Sequence, residues 1–192
     1  MDKFLIAGLG NIGAEYAHTR HNIGFDVVDA FVTKHRGSWQ LSRLAEVSVI
    51  KLKGKHITLI KPTTYMNLSG RAFRYWIDHE KVPLTNTLTI VDEIALPLEK
   101  IRLRPSGSDA GHNGLKDIQA TLATDAYPRL RFGIGNHYPK GRQADYVLGK
   151  WPANELPVVL QKIDTCVELI EQFVLTGIDA TMTQYNKLIF KV

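Results

Sequence analysis

The stretch FLIAGLGNIGAEYAHTRHNIG, residues 4–24, joins a short apolar run to a segment rich in glycine and polar residues. Residues 4–7 are typical of a short buried strand, which Gly8 ends. The polar segment has neither a helical nor a strand period, so we expect a loop that carries Asn11, His21 and Asn22 at the carboxyl end of that strand. Open α/β sheets bind their ligands at this edge. The stretch therefore predicts one wall of an active site in an α/β fold.

The glycines at residues 8–13 also match the G-x-G-x-x-G pattern of dinucleotide-binding folds. That fold needs a helix that begins at the third glycine and a second strand that ends in an acidic residue about twenty positions later. Residues 14–21 have no apolar stripe, and helical spacing begins only after Asn22, which is an acceptable N-cap. Asp29 lies at the right distance but inside this later helix. The context of a nucleotide site is therefore missing.

The composition is that of one domain, residues 1–192, with 44% hydrophobic residues and enough apolar material for a sizeable core. Lys and Arg number 24 against 19 Asp and Glu, so the net charge is +5, which favours a phosphate-bearing partner but also suits simple solubility. Cys166 is the only cysteine, which excludes an internal disulfide and a thiolate metal site. No run is apolar and long enough for a signal peptide or a membrane span. We expect a cytoplasmic protein that does not contact membranes.

A second polar segment follows a predicted β-hairpin. The runs at 47–52 and 57–60 have strand character, and Pro62 ends the second run before a series of small polar residues. A helical pattern comes next, for which Asn67 or Ser69 is a plausible cap. This segment is the second candidate for a site wall.

A third strand and loop contribute a carboxylate. The apolar run 88–91 predicts a buried strand that ends on Asp92, a position well placed for chemistry, although a carboxylate that only caps a turn would give the same pattern. Residues 105–114 form another loop of small residues before a helix that Asn113 or Gly114 could cap.

Basic side chains lie on two further predicted strands. Alternation over residues 98–104 places Lys100, Arg102 and Arg104 on one strand face, and Arg129 and Arg131 share a face of a later strand. The remaining predicted elements are a flexible polar segment at 136–143, a long amphipathic helix at 156–175 and a final helix at 180–190.

These segments resemble bacterial peptidyl-tRNA hydrolases over nearly the whole chain. The motifs that carry the resemblance are G-L-G-N-x-G-x-E-Y-x-x-T-R-H-N-x-G at 8–24, P-T-T-Y-M-N-x-S-G at 62–70, V-D-E at 91–93, G-H-N-G-L-K at 111–116, R-L-R-x-G-I-G at 129–135 and V-L-G-K at 147–150. The resemblance implies a single α/β domain with a mixed twisted β-sheet flanked by helices on both faces. It also implies an ester hydrolase that frees tRNA from a stranded peptide, as a monomer with no metal, no cofactor and no obligate protein partner.

The resemblance further implies a role for each site residue. His21 is the general base that activates water, and Asp92 fixes its tautomer and supports the imidazolium that forms. Asn11, Asn67 and Asn113 hold the peptide main chain, the ester or the water with uncharged amides, so that peptides of any sequence fit. The remaining implied contacts are Tyr16 and Met66 to the substrate, and Arg104 and Arg131 to a tRNA phosphate.

Two positions depart from the family pattern. Ile12 stands where the family usually has proline, and Ala95 where it has a second aspartate. We expect Ile12 to change the stiffness of its loop rather than the chemistry. The missing carboxylate at Ala95 leaves the position of Asp92 intact but changes how its loop is held.

Two other classes of function compete with the hydrolase. An RNA- or nucleotide-binding module could use the same glycines and basic stripe, but it would leave the asparagines, the histidine and the aspartate without a purpose. A metal-dependent hydrolase would need ligands, and His18 and His21 with one remote carboxylate are a poor set. We expect no chemical role for His18 or His112.

Overall fold

Seven β-strands form one central sheet in the computed structural model, which describes residues 1–192. In chain order the strands are β1 (Lys3–Gly8), β2 (Gln40–Ser42), β3 (Ala45–Leu52), β4 (Lys55–Pro62), β5 (Thr87–Glu93), β6 (Ile101–Arg104) and β7 (Arg129–Gly133). Their order across the sheet is β2-β3-β4-β1-β5-β7-β6. The four middle strands β4, β1, β5 and β7 are parallel, and the pairs at both edges are antiparallel. The predicted mixed sheet is therefore confirmed.

Helices cover both faces of this sheet, as predicted. They are α1 (Ile23–Lys34), α2 (Ser69–Glu80), α3 (Asn113–Leu122), α4 (Gln143–Val147), α5 (Leu156–Thr176) and α6 (Ile178–Tyr185). α1 packs against β1 and α5, whereas α2 packs against β1 and α3. None of the helices has both the length and the apolar composition that a membrane-spanning segment needs.

From Phe4 to Ala7, β1 is apolar because both of its faces are buried. Phe4 and Ile6 belong to the core that contains α1 and α5, while Leu5 and Ala7 belong to the core that contains α2 and α3. Strands covered on both faces lose the polar and apolar alternation of a half-exposed strand. This explains the unbroken apolar run from which the active-site loop begins.

Two glycines of the first motif bring the start of α1 onto the sheet. A Cβ atom at Gly8 would overlap the carbonyl of Gly24, and one at Gly24 would overlap the carbonyl of Ile90 in β5. No other residue allows such a close approach of backbone to backbone. The polar turn that precedes α1 is therefore held directly against the carboxyl ends of β1 and β5.

None of the residues predicted to cap α1, α2 and α3 forms a capping hydrogen bond with its side chain. Asn22 precedes α1 as expected, but its side chain bonds the backbone of Asn11 and does not cap the helix. Ser69 donates its hydroxyl to the Met66 carbonyl and does not cap α2. At α3 the capping side chain belongs to His112 rather than to Asn113 or Gly114. Each of these side chains bonds a group that the local sequence pattern does not reveal.

The second half of the chain also differs from its prediction in two places. Lys100 lies before β6, and its ammonium donates to the carbonyls of Asn186 and Leu188, so it is not part of a basic stripe. The segment predicted to be flexible, 136–143, has no helix except at its last residue, Gln143, where the short helix α4 begins. The final helix ends at Tyr185, five residues earlier than predicted.

Candidate active site

A cavity of about 500 Å³ opens at the carboxyl ends of β1 and β5. The loop before α3 and one side of α4 complete its wall, to which Ile94, Val147 and Leu148 contribute an apolar part. The wall includes most of the residues that the sequence singled out, namely Asn11, His21, Met66, Asn67, Asp92 and Asn113. The sheet thus brings together segments that are far apart in the chain.

His21 and Asp92 form a buried hydrogen-bonded pair. His21 lies in the short 3-10 turn Arg20–Asn22, and its Nδ1 atom is 3.0 and 3.1 Å from the two carboxylate oxygens of Asp92 in β5. The side chain of His21 is 13% exposed, that of Asp92 only 3%. Because Nδ1–H donates to the carboxylate, the lone pair on Nε2 is free to accept a proton from a group in the cavity.

His112 is a second histidine at the same carboxylate, and sequence reasoning missed it. Its Nε2 lies 2.9 Å from Oδ1 of Asp92, the oxygen that His21 also uses. Its Nδ1 accepts the backbone N–H groups of Gly114 and Leu115 at the start of α3. The two imidazole rings lie 5.0 Å apart. The signals in the sequence were its place in the G-H-N-G-L-K motif and its position directly before the predicted helix.

Burial and charge act in opposite directions on this cluster. Burial alone would lower the pKa of His21, but the charge of Asp92 and its hydrogen bond outweigh this effect and raise the pKa above the usual 6.5. Burial would raise the pKa of Asp92, but His21 and His112 together hold that pKa well below its usual 3.8. Asp92 is therefore a carboxylate at neutral pH, and His21 is poised to take up a proton.

Asn11 is fixed by hydrogen bonds on its backbone and on its side chain. Asn22 accepts the Asn11 N–H at 2.8 Å and donates to the Asn11 carbonyl at 2.9 Å, and Oδ1 of Asn11 accepts the Met66 N–H at 2.7 Å. Tyr65, which precedes Met66, has φ 63° and ψ 158°, a conformation that is costly for any residue except glycine. Because Oδ1 is occupied, the Nδ2 group of Asn11 is left to donate into the cavity.

Asn67 and Asn113 lie on two elements of the wall that contact each other. Asn67 belongs to the 3-10 turn Met66–Leu68, and Asn113 begins α3. Both are exposed, and neither side-chain amide has a hydrogen-bonding partner within the protein. Met66, in the same 3-10 turn as Asn67, is buried and forms part of both the core and the cavity wall. The two free amides can each offer one acceptor and two donors to a ligand.

The other predicted site residues lie outside the cavity wall. Tyr16 ends the 3-10 turn Ala14–Tyr16, and Arg104 is exposed on the edge strand β6. Arg131 is buried: its guanidinium donates to Glu93 at 2.8 Å and to the Ser108 carbonyl. Their contacts with substrate or phosphate stay predictions.

His21, Asp92 and His112 are the only cluster with the composition of a metal site, and each offers a ligand atom within 4.8 Å of the others. Their hydrogen bonds argue against such a use, since the ring nitrogens that face the carboxylate carry the protons. The predicted poor set with His18 does not form, because His18 is exposed and bonded to Asp26. The hydrogen bonds leave Nε2 of His21 as the one ring nitrogen of the cluster that can take up a proton from the cavity.

Comparison with known proteins gives one consistent result. The family model described as peptidyl-tRNA hydrolase matches residues 5–191. The chain is 51% identical to the peptidyl-tRNA hydrolase of Phocaeicola vulgatus over 96% of its length and 99% of that protein, and 46% identical to that of Porphyromonas gingivalis over 96% and 100%. The crystal structure of peptidyl-tRNA hydrolase from Acinetobacter baumannii has a TM-score of 0.92 at 33% identity, over 97% of this chain and 95% of that one.

Proposed function

The chain belongs to the peptidyl-tRNA hydrolase family and hydrolyses the ester between peptide and tRNA, and we propose that it does so with His21 as the general base. The observation that carries this proposal is the geometry of one ring. Nδ1 of His21 faces the carboxylate of Asp92, while Nε2 has no partner in the protein and the side chain lines the cavity. This is the arrangement that general-base activation of water requires.

The reaction needs one proton to move twice. Nε2 of His21 takes a proton from water as the water oxygen attacks the ester carbonyl carbon, and the carbonyl oxygen takes on the negative charge. When the bond to the ribose oxygen of the tRNA breaks, His21 returns the proton to that oxygen. Asp92 remains ionised throughout and stabilises the imidazolium between the two steps.

The peptide side of the substrate is held by three amides. Asn67 and Asn113 have free side-chain groups that can pair with the N–H and C=O of the residue next to the ester. Nδ2 of Asn11 is directed to the ester carbonyl or to the water, because its Oδ1 is already used. Met66 gives an apolar contact beside them, and Tyr16, which lies outside the cavity wall, contacts the part of the substrate that extends beyond the cavity. None of these contacts reads a peptide side chain, so any peptide sequence is accepted.

The tRNA side of the substrate is held by charge. Arg104 presents an exposed guanidinium on β6, and Arg131 lies on the neighbouring strand β7. A phosphate matches the fork geometry of arginine. Arg131 must share its donors with Glu93, so we assign the stronger phosphate contact to Arg104.

The enzyme acts as a monomer in the cytoplasm and recycles tRNA from stalled or aborted translation. Two features support this proposal. Every group of the proposed site comes from one chain, so no second copy is needed to complete it. Cys166 is a buried free thiol, which suits a reducing compartment.

The test is hydrolysis of N-acetyl-aminoacyl-tRNA by His21→Ala, with His18→Ala as the matched control. Both changes remove a histidine from the same loop, but His18 is exposed and lies outside the catalytic cavity. We expect His21→Ala to lose a hundred- to ten-thousand-fold in rate, on the order of general-base help, with tRNA affinity retained. His18→Ala should keep its rate. Near-normal turnover by His21→Ala would refute the assignment.

A further inference from the structure

Both ring nitrogens of His112 are committed to hydrogen bonds of opposite sense. Nδ1 is 3.1 Å from the Gly114 N–H and 3.4 Å from the Leu115 N–H, both of which can only donate. Nε2 is 2.9 Å from the Asp92 carboxylate, which can only accept. The single arrangement that satisfies all of them is the neutral ring with its proton on Nε2. A protonated ring would point a second N–H at two backbone N–H groups.

We propose that His112 is a positioning residue whose tautomer is locked by the start of α3, and that its Nε2–H bond to Oδ1 of Asp92 moderates the basicity of His21. This inference rests on the proposed role of His21 as the base. It assigns to His112 a function in the reaction that is distinct from capping a helix.

The proposal depends on one oxygen atom, Oδ1 of Asp92, to which both His112 and His21 donate. Because Oδ1 accepts from both rings, part of its negative charge is committed to the Nε2–H group of His112. The charge available to stabilise the imidazolium of His21 is thereby reduced. A base works best when its pKa is close to the working pH. Without His112, His21 would hold a proton more tightly, and less of the resting enzyme would have the deprotonated base.

The surroundings of His21 contain no other group with this effect. The titratable side chains that contact it are Asp92 from β5 and His112 from the loop before α3. Glu93 lines the same cavity, but its carboxylate is paired with Arg131. The side chains that α4 presents to the cavity carry no charge. A change at His112 therefore acts on His21 through Asp92 and through the direct contact of the two rings, and through no third titratable group.

The hydrogen bonds of His112 to Asp92 and to the start of α3 also connect Asn113 with His21. Asn113 follows His112 directly and begins α3, so the bond from His112 to β5 fixes where this amide stands relative to His21. Gly114 leaves room for the arrangement, because a Cβ atom there would press on the ring of His112 and on the sulfur of Met66.

Two variants separate positioning from capping. His112→Asn retains an N-cap acceptor for α3, since asparagine is among the best N-cap residues, but its shorter side chain cannot donate to Asp92. His112→Ala removes both functions. The direct measurement is an NMR titration of the His21 imidazole in the full-length protein, together with the pH profile of kcat/KM on N-acetyl-aminoacyl-tRNA and the thermal midpoint.

We expect the pKa of His21 to rise by roughly half a unit or more in both variants, the size of one lost neutral hydrogen bond. The acid limb of kcat/KM should move up by the same amount, and the thermal midpoint should fall further in His112→Ala, which loses the helix cap as well as the bond to Asp92. An unchanged or lowered pKa of His21 in His112→Asn would overturn the proposal and leave His112 as a cap. A raised pKa without movement of the acid limb would support the role of His112 but refute His21 as the base.

Discussion

The replacement of Asp92 by asparagine tests how the two members of the proposed pair divide the work. The change removes the negative charge and keeps the size of a side chain that is 3% exposed. Oδ1 of the amide can still accept from His112, which fixes its orientation. The amide nitrogen then takes the place of Oδ2, which lies 3.1 Å from Nδ1 of His21. Asparagine therefore satisfies His112 and leaves His21 the acceptor at Oδ1, but it replaces the second acceptor with a donor.

The expected loss can be bounded from the charge that disappears. Two unit charges about 4 Å apart attract each other by ~4 kcal/mol at an effective dielectric constant of about 20. If the full imidazolium charge developed in the transition state, this attraction would correspond to roughly a thousand-fold in rate. The amide dipole and incomplete proton transfer retain part of it. We therefore expect Asp92→Asn to lose on the order of a hundred-fold, less than His21→Ala at the upper end of its range.

A double-mutant cycle gives the sharper result. Asp92 is proposed to act only through His21, so Asp92→Asn should cause no further loss in a His21→Ala background. The assay is single-turnover release of peptide from peptidyl-tRNA, with a chelator present and with tRNA affinity and thermal midpoint measured for all four proteins. If the second change costs the same factor in both backgrounds, Asp92 acts independently and the proposed pair is wrong.

Three further predictions concern charge and substrate choice. Burial raises the pKa of Asp26 to about 6, against the opposing effect of His18. The protonated carboxyl therefore contributes its full stability below pH 3.8, the usual pKa, and this contribution is lost as the pH rises through about 6. Asp26→Asn should thus raise the thermal midpoint at about pH 8 and leave it unchanged at about pH 3.5; a gain at both would contradict the linkage. Arg104→Ala should raise KM for tRNA substrates and flatten the log–log salt dependence of KM by about one unit. Arg131→Ala should flatten the salt dependence less but lower the thermal midpoint, because the buried carboxylate of Glu93 loses its partner. Equal salt slopes for the two variants would refute this division. Asn67→Ala or Asn113→Ala should lower kcat/KM for N-acetyl-aminoacyl-tRNA and erode its preference over aminoacyl-tRNA, with the salt slope unchanged. An unchanged preference would show that these amides do not contact the peptide.

The sequence predicts the frame of the site well, because that frame depends on local patterns. The apolar run of β1, the late start of α1 and the buried run of β5 follow from hydrophobic periodicity and glycine. These elements place Asn11, His21 and Asp92 at one edge of a sheet, where parallel strands end together. The family and the enzyme class, which rest on several ordered motifs, are confirmed.

The partners of buried polar groups were not predictable, because they are set by tertiary contacts. Arg131 and Arg104 look alike in the sequence, yet one is paired with Glu93 from the neighbouring strand and the other is exposed at the sheet edge. Lys100 has the same alternation as Arg104 but reaches the carboxyl-terminal segment. Strand period fixes the face on which a side chain lies, but not what covers that face.

The same kind of tertiary contact holds the loops of the proposed active site to one another. His112 bonds the first turn of α3, Asn22 bonds both backbone groups of Asn11, and Asn11 in turn bonds the backbone of Met66. Each of these bonds joins a polar loop to the backbone of another segment, so the loops cannot move separately. The conformation at Tyr65, which costs on the order of 1–3 kcal/mol, persists because the surrounding contacts determine it. Donors fixed in this way before the substrate binds need little reorganisation when charge develops on the ester, which is the condition under which uncharged amides can stabilise it.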